Sequence, residues 1–185
     1  MDVFRWEGRP SGLREPVLIG AFKGWNDAGE AASFATSYLM SAFGATRFAS
    51  VDPEGFFDFQ SHRPRVSITD GEIDGAITLP GVELYSATPD DGRSVVIVSG
   101  SEPSMRWPTL CRAILDVARE FGVRDVVTLG ALIADVPHTR PVRLSHMSTP
   151  RELTDSLGPR RPDYIGATGI VTMIWRANGL TDIER

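Results

Sequence analysis

The sequence predicts an α/β fold in which helices flank a mixed, largely parallel central sheet. Three continuous apolar runs, typical of strands buried on both faces, lie at Pro16–Phe22, Ser94–Val98 and Asp125–Gly130. A segment with helical three- and four-residue apolar spacing follows each of the first two runs. With 185 residues, 42% of them hydrophobic, the chain is long enough to bury one core. We therefore expect a single α/β domain over 1–185.

The first apolar run opens a strand–helix–strand unit. Its helix is predicted over Ala28–Phe43, with Gly44 as the C-terminal cap, and its second strand over Thr46–Val51. About thirty-five residues is the usual length of a crossover between parallel strands. The helix face expected to pack on the sheet consists of Ala31, Phe34, Ala35, Tyr38, Leu39 and Ala42.

A hairpin-rich insertion is expected between residues 52 and 92. Short alternating segments occur there at Arg65–Thr69, Ala76–Leu79 and Glu83–Ser86. Asp-Gly pairs at 70–71 and 74–75 supply turn signals around these segments. The pattern predicts antiparallel hairpin strands.

The second half of the chain returns to strand–helix order. A helix over Pro108–Phe121 is predicted between the second and third apolar runs, with proline in its first turn. After a long loop we expect a strand at Val142–Met147, a short helix at Pro150–Leu157 and a helix at Thr168–Asn178. A core strand would normally follow the last helix, so we expect the complete domain to extend past Arg185.

The composition disfavours several classes of function. The formal net charge is −5 and the basic residues are scattered, which disfavours nucleic acid as a partner. No apolar run approaches the roughly eighteen residues of a membrane span, and the N-terminus lacks a signal-peptide pattern, so we expect a cytoplasmic protein without membrane contact. The single cysteine, Cys111, lies in an apolar helical pattern and is expected to be a buried hydrophobic side chain rather than a nucleophile.

Candidate binding residues follow the predicted parallel strands, because open α/β sheets bind ligands at the carboxyl ends of their strands. The loop after the first strand contains Trp25, Asn26 and Asp27. Either Asn26 or Asp27 caps the next helix while Trp25 covers the core, or the polar side chains contact a ligand. The glycines of this loop match neither of the familiar nucleotide-binding patterns.

The loop after the second apolar run contributes Glu102, Arg106 and Trp107. Glu102 and Arg106 are four residues apart and either pair with each other or bind an anionic or hydroxylated small molecule. In the second case Trp107 would stack on that molecule.

The loop after the third run contains Asp135, His138 and Arg140, the set closest to a catalytic arrangement. A carboxylate can orient an imidazole that titrates near neutral pH. No nucleophile accompanies them, and prolines at 137 and 141 favour an exposed loop that presents side chains to a partner. His62 and His146 lack the spacing of a zinc site, and there is no cofactor fingerprint, so neither metal nor cofactor is expected.

Five motifs, taken in order along nearly the whole chain, resemble the bacterial branch of the proteasome assembly chaperone 2 family. They are Gly24–Gly29 after the first strand, Asp58–Gln60 with Arg63–Pro64, Gly100–Pro103 with Arg106–Trp107, Gly130–Pro141, and Gly166–Val171. The last motif adds Thr168 to the candidate binding residues, and its Ala167 stands where the family more often has proline.

The resemblance implies a fold similar to purine nucleoside phosphorylases without their activity, homo-oligomers such as trimers, and a chain that continues beyond residue 185. Relatives in eukaryotes and archaea help assemble the proteasome through protein contacts, whereas the bacterial branch has no settled function. We therefore expect a non-enzymatic protein-binding or assembly role, acting on a partner protein or through self-association. The alternative is a nucleoside- or amide-like small molecule that is bound or transformed at the strand ends, and the chain's status as an enzyme stays open.

Overall fold

The computed structural model describes residues 3–148 and 164–179. The chain divides into two compact units, one formed by Met1–Leu132 with Gly169–Arg185 and the other by Ile133–Thr168. The first unit contains the strands, helices and apolar core that follow.

The strands confirm a mixed α/β sheet. They are β1 (Phe4–Trp6), β2 (Val17–Lys23), β3 (Thr46–Val51), β4 (Arg65–Thr69), β5 (Glu72–Thr78), β6 (Val82–Ala87), β7 (Val95–Ser101) and β8 (Asp125–Thr128). Six of them form one sheet in the order β1-β3-β6-β7-β2-β8, while β4 and β5 form a separate antiparallel hairpin. β2 pairs in parallel with β7 and with β8, and the other three pairings of the main sheet are antiparallel.

The antiparallel share is larger than the sequence predicts because β6 enters the main sheet. This strand contains the segment Glu83–Ser86, which was expected in the hairpin-rich insertion, and it lies between β3 and β7. It runs opposite to both neighbours, so β3 still points the same way as β2. The predicted crossover from β2 to β3 therefore joins strands of equal direction that are not adjacent.

Three helices are described in the first unit: α1 (Ala31–Ala42), α2 (Trp107–Glu120) and α3 (Ile170–Gly179). A short 3-10 turn, Ala28–Glu30, precedes α1, and another, Pro53–Gly55, follows β3. α1 packs on β2 and β7, while α2 and α3 pack on each other and α3 also on β8 and β2. None of the helices within the described residues is long and apolar enough to cross a membrane.

The strand β7 shows how the sheet separates two apolar layers. Val96 and Val98 join the main core with residues of α2 and α3, whereas Val95 and Ile97 belong to a smaller cluster with Leu39 of α1. This alternation is the two-residue period of a strand that is buried on both faces. Cys111 is fully buried in the main core, and burial raises the pKa of its thiol to about 12, as expected of a cysteine that acts as a small hydrophobic residue.

The face of α1 that meets the sheet differs from the prediction. Ala32, Ser33 and Thr36 are buried, whereas the predicted contacts Phe34 and Tyr38 are 73% and 65% exposed. The Thr36 hydroxyl donates to the Ser33 carbonyl at 2.9 Å, so this buried polar group is satisfied inside the helix. Apolar periodicity failed here because α1 carries no charged residue that would mark its outer face.

The predictions for the chain after β8 are confirmed only in part. The strand expected at Val142–Met147 is wrong: these residues form no strand, and Val142 and Leu144 are 86% and 80% exposed. Their alternating pattern lacks a partner strand within the described part of the chain, and a strand needs a ladder to persist. The helix expected at Pro150–Leu157 lies outside the described residues. The helix expected from Thr168 is confirmed as α3, which starts two residues later.

Candidate functional site

Four chain segments meet at one edge of the main sheet, which we call the rim. It consists of Gly24–Asp27 after β2, Glu102 after β7, Gly130–Ala131 after β8, and Gly169–Ile170 at the start of α3. The parallel pairings of β7, β2 and β8 bring their carboxyl ends to this edge. Backbone hydrogen bonds between Asn26 and Ala131, and between Lys23 and Glu102, connect the loops.

Asp27 caps α1 with one of its two carboxylate oxygens. Oδ1 accepts hydrogen bonds from the backbone N–H groups of Ala32 at 2.8 Å and Ser33 at 3.1 Å. These are groups that the first turn of a helix leaves unpaired. Asp27 is only 7% exposed, and its other oxygen, Oδ2, is buried without a hydrogen-bond partner.

Asn26 sits where β2, β8 and α3 approach one another. Its side chain lies beside Gly130, where an added Cβ would be 3.6 Å from Nδ2. An added Cβ on Gly169 would overlap Asn26 Oδ1, so only glycine at 169 allows this approach. Like Asp27 Oδ2, the buried Asn26 Oδ1 has no hydrogen-bond partner.

Glu102 reaches the start of α3, 68 residues further along the chain. Its Oε1 accepts the Ile170 N–H at 2.8 Å and lies 2.8 Å from the Cβ position of Gly169. The Glu102 side chain also packs against Gly24, whose φ of +141° favours glycine. Glu102 therefore meets Asn26 at Gly169, and the structure brings these two predicted residues together.

The structure gives Arg106 and Trp107 partners other than the predicted ones. The Arg106 guanidinium lies 5.0 Å from the centroid of the Phe56 ring. Trp107 begins α2, donates its indole N–H to the Pro103 carbonyl at 2.6 Å, and packs on the main core. Trp25 is the exposed aromatic side chain of the rim, with 52% of its surface accessible.

The remaining predicted residues belong to the second unit. Asp135, His138, Arg140 and Thr168 are all exposed. A backbone hydrogen bond from the Arg140 N–H to the Pro137 carbonyl, 3.0 Å long, forms a turn around His138. Their role stays a prediction.

A serine–histidine contact that the sequence analysis missed lies next to the rim. Ser104 Oγ is 3.1 Å from His62 Nδ1, the distance of a nucleophile and its base. Oγ also accepts the Asp58 N–H at 3.0 Å, and the N–H groups of Ser104 and Met105 both bind the Phe56 carbonyl. The N–H groups of Ser104 and Met105 are thus occupied and are not available to stabilise an oxyanion. The pair joins two loops, and its 42-residue separation left no local signal.

The β4–β5 hairpin presents an apolar surface, which we call the hairpin face. It comprises Val66, Ile68, Ile73 and Ile77, which are 48%, 64%, 62% and 58% exposed. Ile68 and Ile73 are directly paired across the strands. The two-residue alternation of each strand places Val66 with Ile68 and Ile77 with Ile73 on this face, on either side of a register shift between Arg65 and Ser67. The other face carries the polar side chains Arg65, Ser67, Thr69, Glu72 and Asp74. The alternation of apolar and polar residues along these two segments is the sequence pattern that could have predicted this surface.

Metal-binding groups are not clustered in the described residues, where no three His, Cys, Asp or Glu side chains could hold an ion together.

The comparisons with known proteins agree with the fold. The sequence profile of the PAC2 family matches residues 21–184. The chain belongs to the PAC2 family.

Solved structures are similar to this PAC2 chain over most of its length. A PAC2 family protein of Streptomyces avermitilis is 41% identical, with a TM-score of 0.78 over 88% of this chain and 69% of that one. A proteasome-assembly chaperone homologue of Mycobacterium tuberculosis is 37% identical, with a TM-score of 0.80 over 87% and 68%. PbaB of Pyrococcus furiosus, an archaeal proteasome activator, shares the fold at 19% identity, with a TM-score of 0.64 over 97% and 78%. No curated protein matches the chain.

Proposed function

We propose that this PAC2 family member is a non-enzymatic cytoplasmic protein that binds a partner protein through its hairpin face, in an assembly role. The observation that carries the proposal is an amphipathic hairpin whose apolar face is uncovered. Every residue of β4 and β5 is exposed. A two-stranded hairpin without a packing partner is marginally stable in water, so covering it stabilises both the hairpin and the complex.

The gain from covering the hairpin face is sizeable. Roughly half of each of its four aliphatic side chains is still in water, and burying that half contributes about 1 kcal/mol per side chain. Contiguous apolar patches on soluble proteins mark sites of protein interaction. A face without charged side chains fits an apolar protein surface better than it fits a polar small molecule, because small molecules bind in concave sites.

Similar proteins support the assembly role. The Mycobacterium tuberculosis relative is a proteasome-assembly chaperone homologue, and the archaeal protein of similar fold is a proteasome activator. Both descriptions name the proteasome. We therefore take the proteasome core subunits of the organism that makes this protein as the first partners to test, and a second copy of this chain as the next.

The test replaces the central pair of the hairpin face, Ile68→Thr with Ile73→Thr. Threonine keeps the branched Cβ and the strand preference but removes the apolar surface. The matched control changes the neighbouring cross-strand pair on the polar face, Ser67→Thr with Asp74→Asn. Binding to purified core subunits is measured by calorimetry, and self-association by light scattering after size-exclusion chromatography.

We expect the apolar-face variant to weaken association about tenfold or more, and the polar-face variant to bind like the parent protein. Melting temperatures of both variants should stay close to the parent value, because the substituted side chains are exposed. Equal binding by both variants, or a parent protein that is monomeric and binds no core subunit, would refute the proposal.

A further inference from the structure

Two unpaired acceptor oxygens are concentrated at the carboxyl end of β2. Among the described residues, the buried side-chain polar atoms that lack a hydrogen-bond partner are Asn26 Oδ1 and Asp27 Oδ2. Buried polar groups are hydrogen-bonded in the great majority of cases, and an unpaired one is costly. Their occurrence on consecutive residues, at the edge where open α/β sheets bind ligands, points to a binding site instead of a packing defect.

The chemistry of the rim determines which ligand fits. Helix N-termini usually attract anions, because their free N–H groups and the helix dipole favour negative charge. Here the first-turn amides of α1 already bind Asp27, and the Ile170 N–H of α3 already binds Glu102. Carboxylates therefore occupy both helix starts, and the oxygens left over are acceptors.

We infer that the rim binds a small molecule through an amino or carboxamide group, whose N–H donors reach Asp27 Oδ2 and Asn26 Oδ1. Asp27 is suited to this because Oδ1 is held by the α1 backbone, which fixes the orientation of Oδ2. The Asp27 charge favours an ammonium over a neutral amide. Phosphates and carboxylates are disfavoured by the same charge. This site is independent of the hairpin face and goes beyond the proposed protein-binding role.

A substitution of the same shape at Asp27 tests the role of its unpaired oxygen, Oδ2, separately from the role of Oδ1. Asp27→Asn retains an Oδ1 that can cap α1, while an NH₂ group replaces the unpaired acceptor with a donor. Asn26→Asp retains both acceptors and adds a negative charge. Asp52→Asn is the control, since Asp52 also caps a turn by accepting the Glu54 N–H with Oδ1, while its Oδ2 is already paired with Arg5 at 2.7 Å.

The probes are methylammonium, putrescine, acetamide and nicotinamide, with inorganic phosphate for comparison, measured by calorimetry and ligand-observed NMR. We expect at least one amino or amide probe to bind the parent protein and the Asp52→Asn variant equally. Asp27→Asn should weaken that binding about 10- to 100-fold, the range for a buried hydrogen bond to a charged group. The melting temperature should fall by no more than about 4 °C, because the amide oxygen still caps α1 and only the attraction between the carboxylate charge and the helix dipole is lost. Asn26→Asp should strengthen binding of the ammonium probes alone.

Three results would overturn the inference. The first is that no amino or amide probe binds at millimolar concentration. The second is that such a probe binds Asp27→Asn as tightly as the parent protein. The third is that phosphate binds in preference to all four probes, because a site of unpaired acceptors cannot favour an anion.

Discussion

Gly100 provides a sharp test of the register between β6 and β7. It pairs with Val82, has a φ of +152°, and lies against the backbone of Gly81. A Cβ at this position would be 2.8 Å from Val82 Cα and 2.9 Å from the Gly81 carbonyl carbon, with the Gly81 carbonyl oxygen closer still. Ordinary carbon contacts are about 3.5–4.0 Å, so Gly100→Ala must displace the start of β6.

The cost of Gly100→Ala can be estimated from its parts. A non-glycine residue at a disfavoured positive φ costs about 1–3 kcal/mol. The displacement also breaks the 2.9 Å hydrogen bond from the Ser101 N–H to the Gly81 carbonyl, worth about 1 kcal/mol. With lost packing around the fully buried Val82, we expect the free energy of unfolding to fall by about 4 kcal/mol. For a chain of this size the melting temperature should fall by roughly 8–16 °C.

Urea denaturation and differential scanning fluorimetry measure these quantities. The control is Gly81→Ala, because no atom lies within 4 Å of the Cβ position there, and we expect a change below about 1 kcal/mol. A Gly100→Ala protein that melts within about 2 °C of the parent would show that β6 and β7 do not approach as described.

Two further predictions concern α1 and the core. Replacing the exposed Phe34 and Tyr38 with serine should change the free energy of unfolding by less than about 1 kcal/mol, whereas Thr36→Leu, at a fully buried position, should destabilise the protein by about 1–3 kcal/mol through overpacking. Urea denaturation measures both changes. A larger loss of stability from the Phe34 and Tyr38 substitutions than from Thr36→Leu would show that the face predicted from the sequence is the one that packs on the sheet. Cys111 should resist iodoacetamide at pH 8 until denaturant is added, since its thiol is buried with a pKa near 12; alkylation of the folded protein, followed by mass spectrometry, would contradict its burial.

Sequence reasoning located strands well where burial on both faces leaves a continuous apolar run, as in β2 and β7. It could not place β6, because pairing with β3 and β7 is a long-range choice that alternation alone does not encode. The face of α1 was misassigned because an uncharged helix has apolar residues on both sides. At the rim, strand ends indicated Asn26, Asp27 and Glu102, but the contact from Glu102 to Ile170 depends on tertiary structure that no local pattern contains.

The capped helix starts also bear on chemistry at the strand ends. A phosphorylase-type reaction needs an anion there, held by free backbone N–H groups and cationic side chains. In this PAC2 chain Asp27 and Glu102 bind the N–H groups at the starts of α1 and α3. The cation that follows β7, Arg106, stacks on Phe56. The N–H groups that an anion would use at these two helix starts are therefore already bound, and the fold class alone does not determine the chemistry of the strand ends.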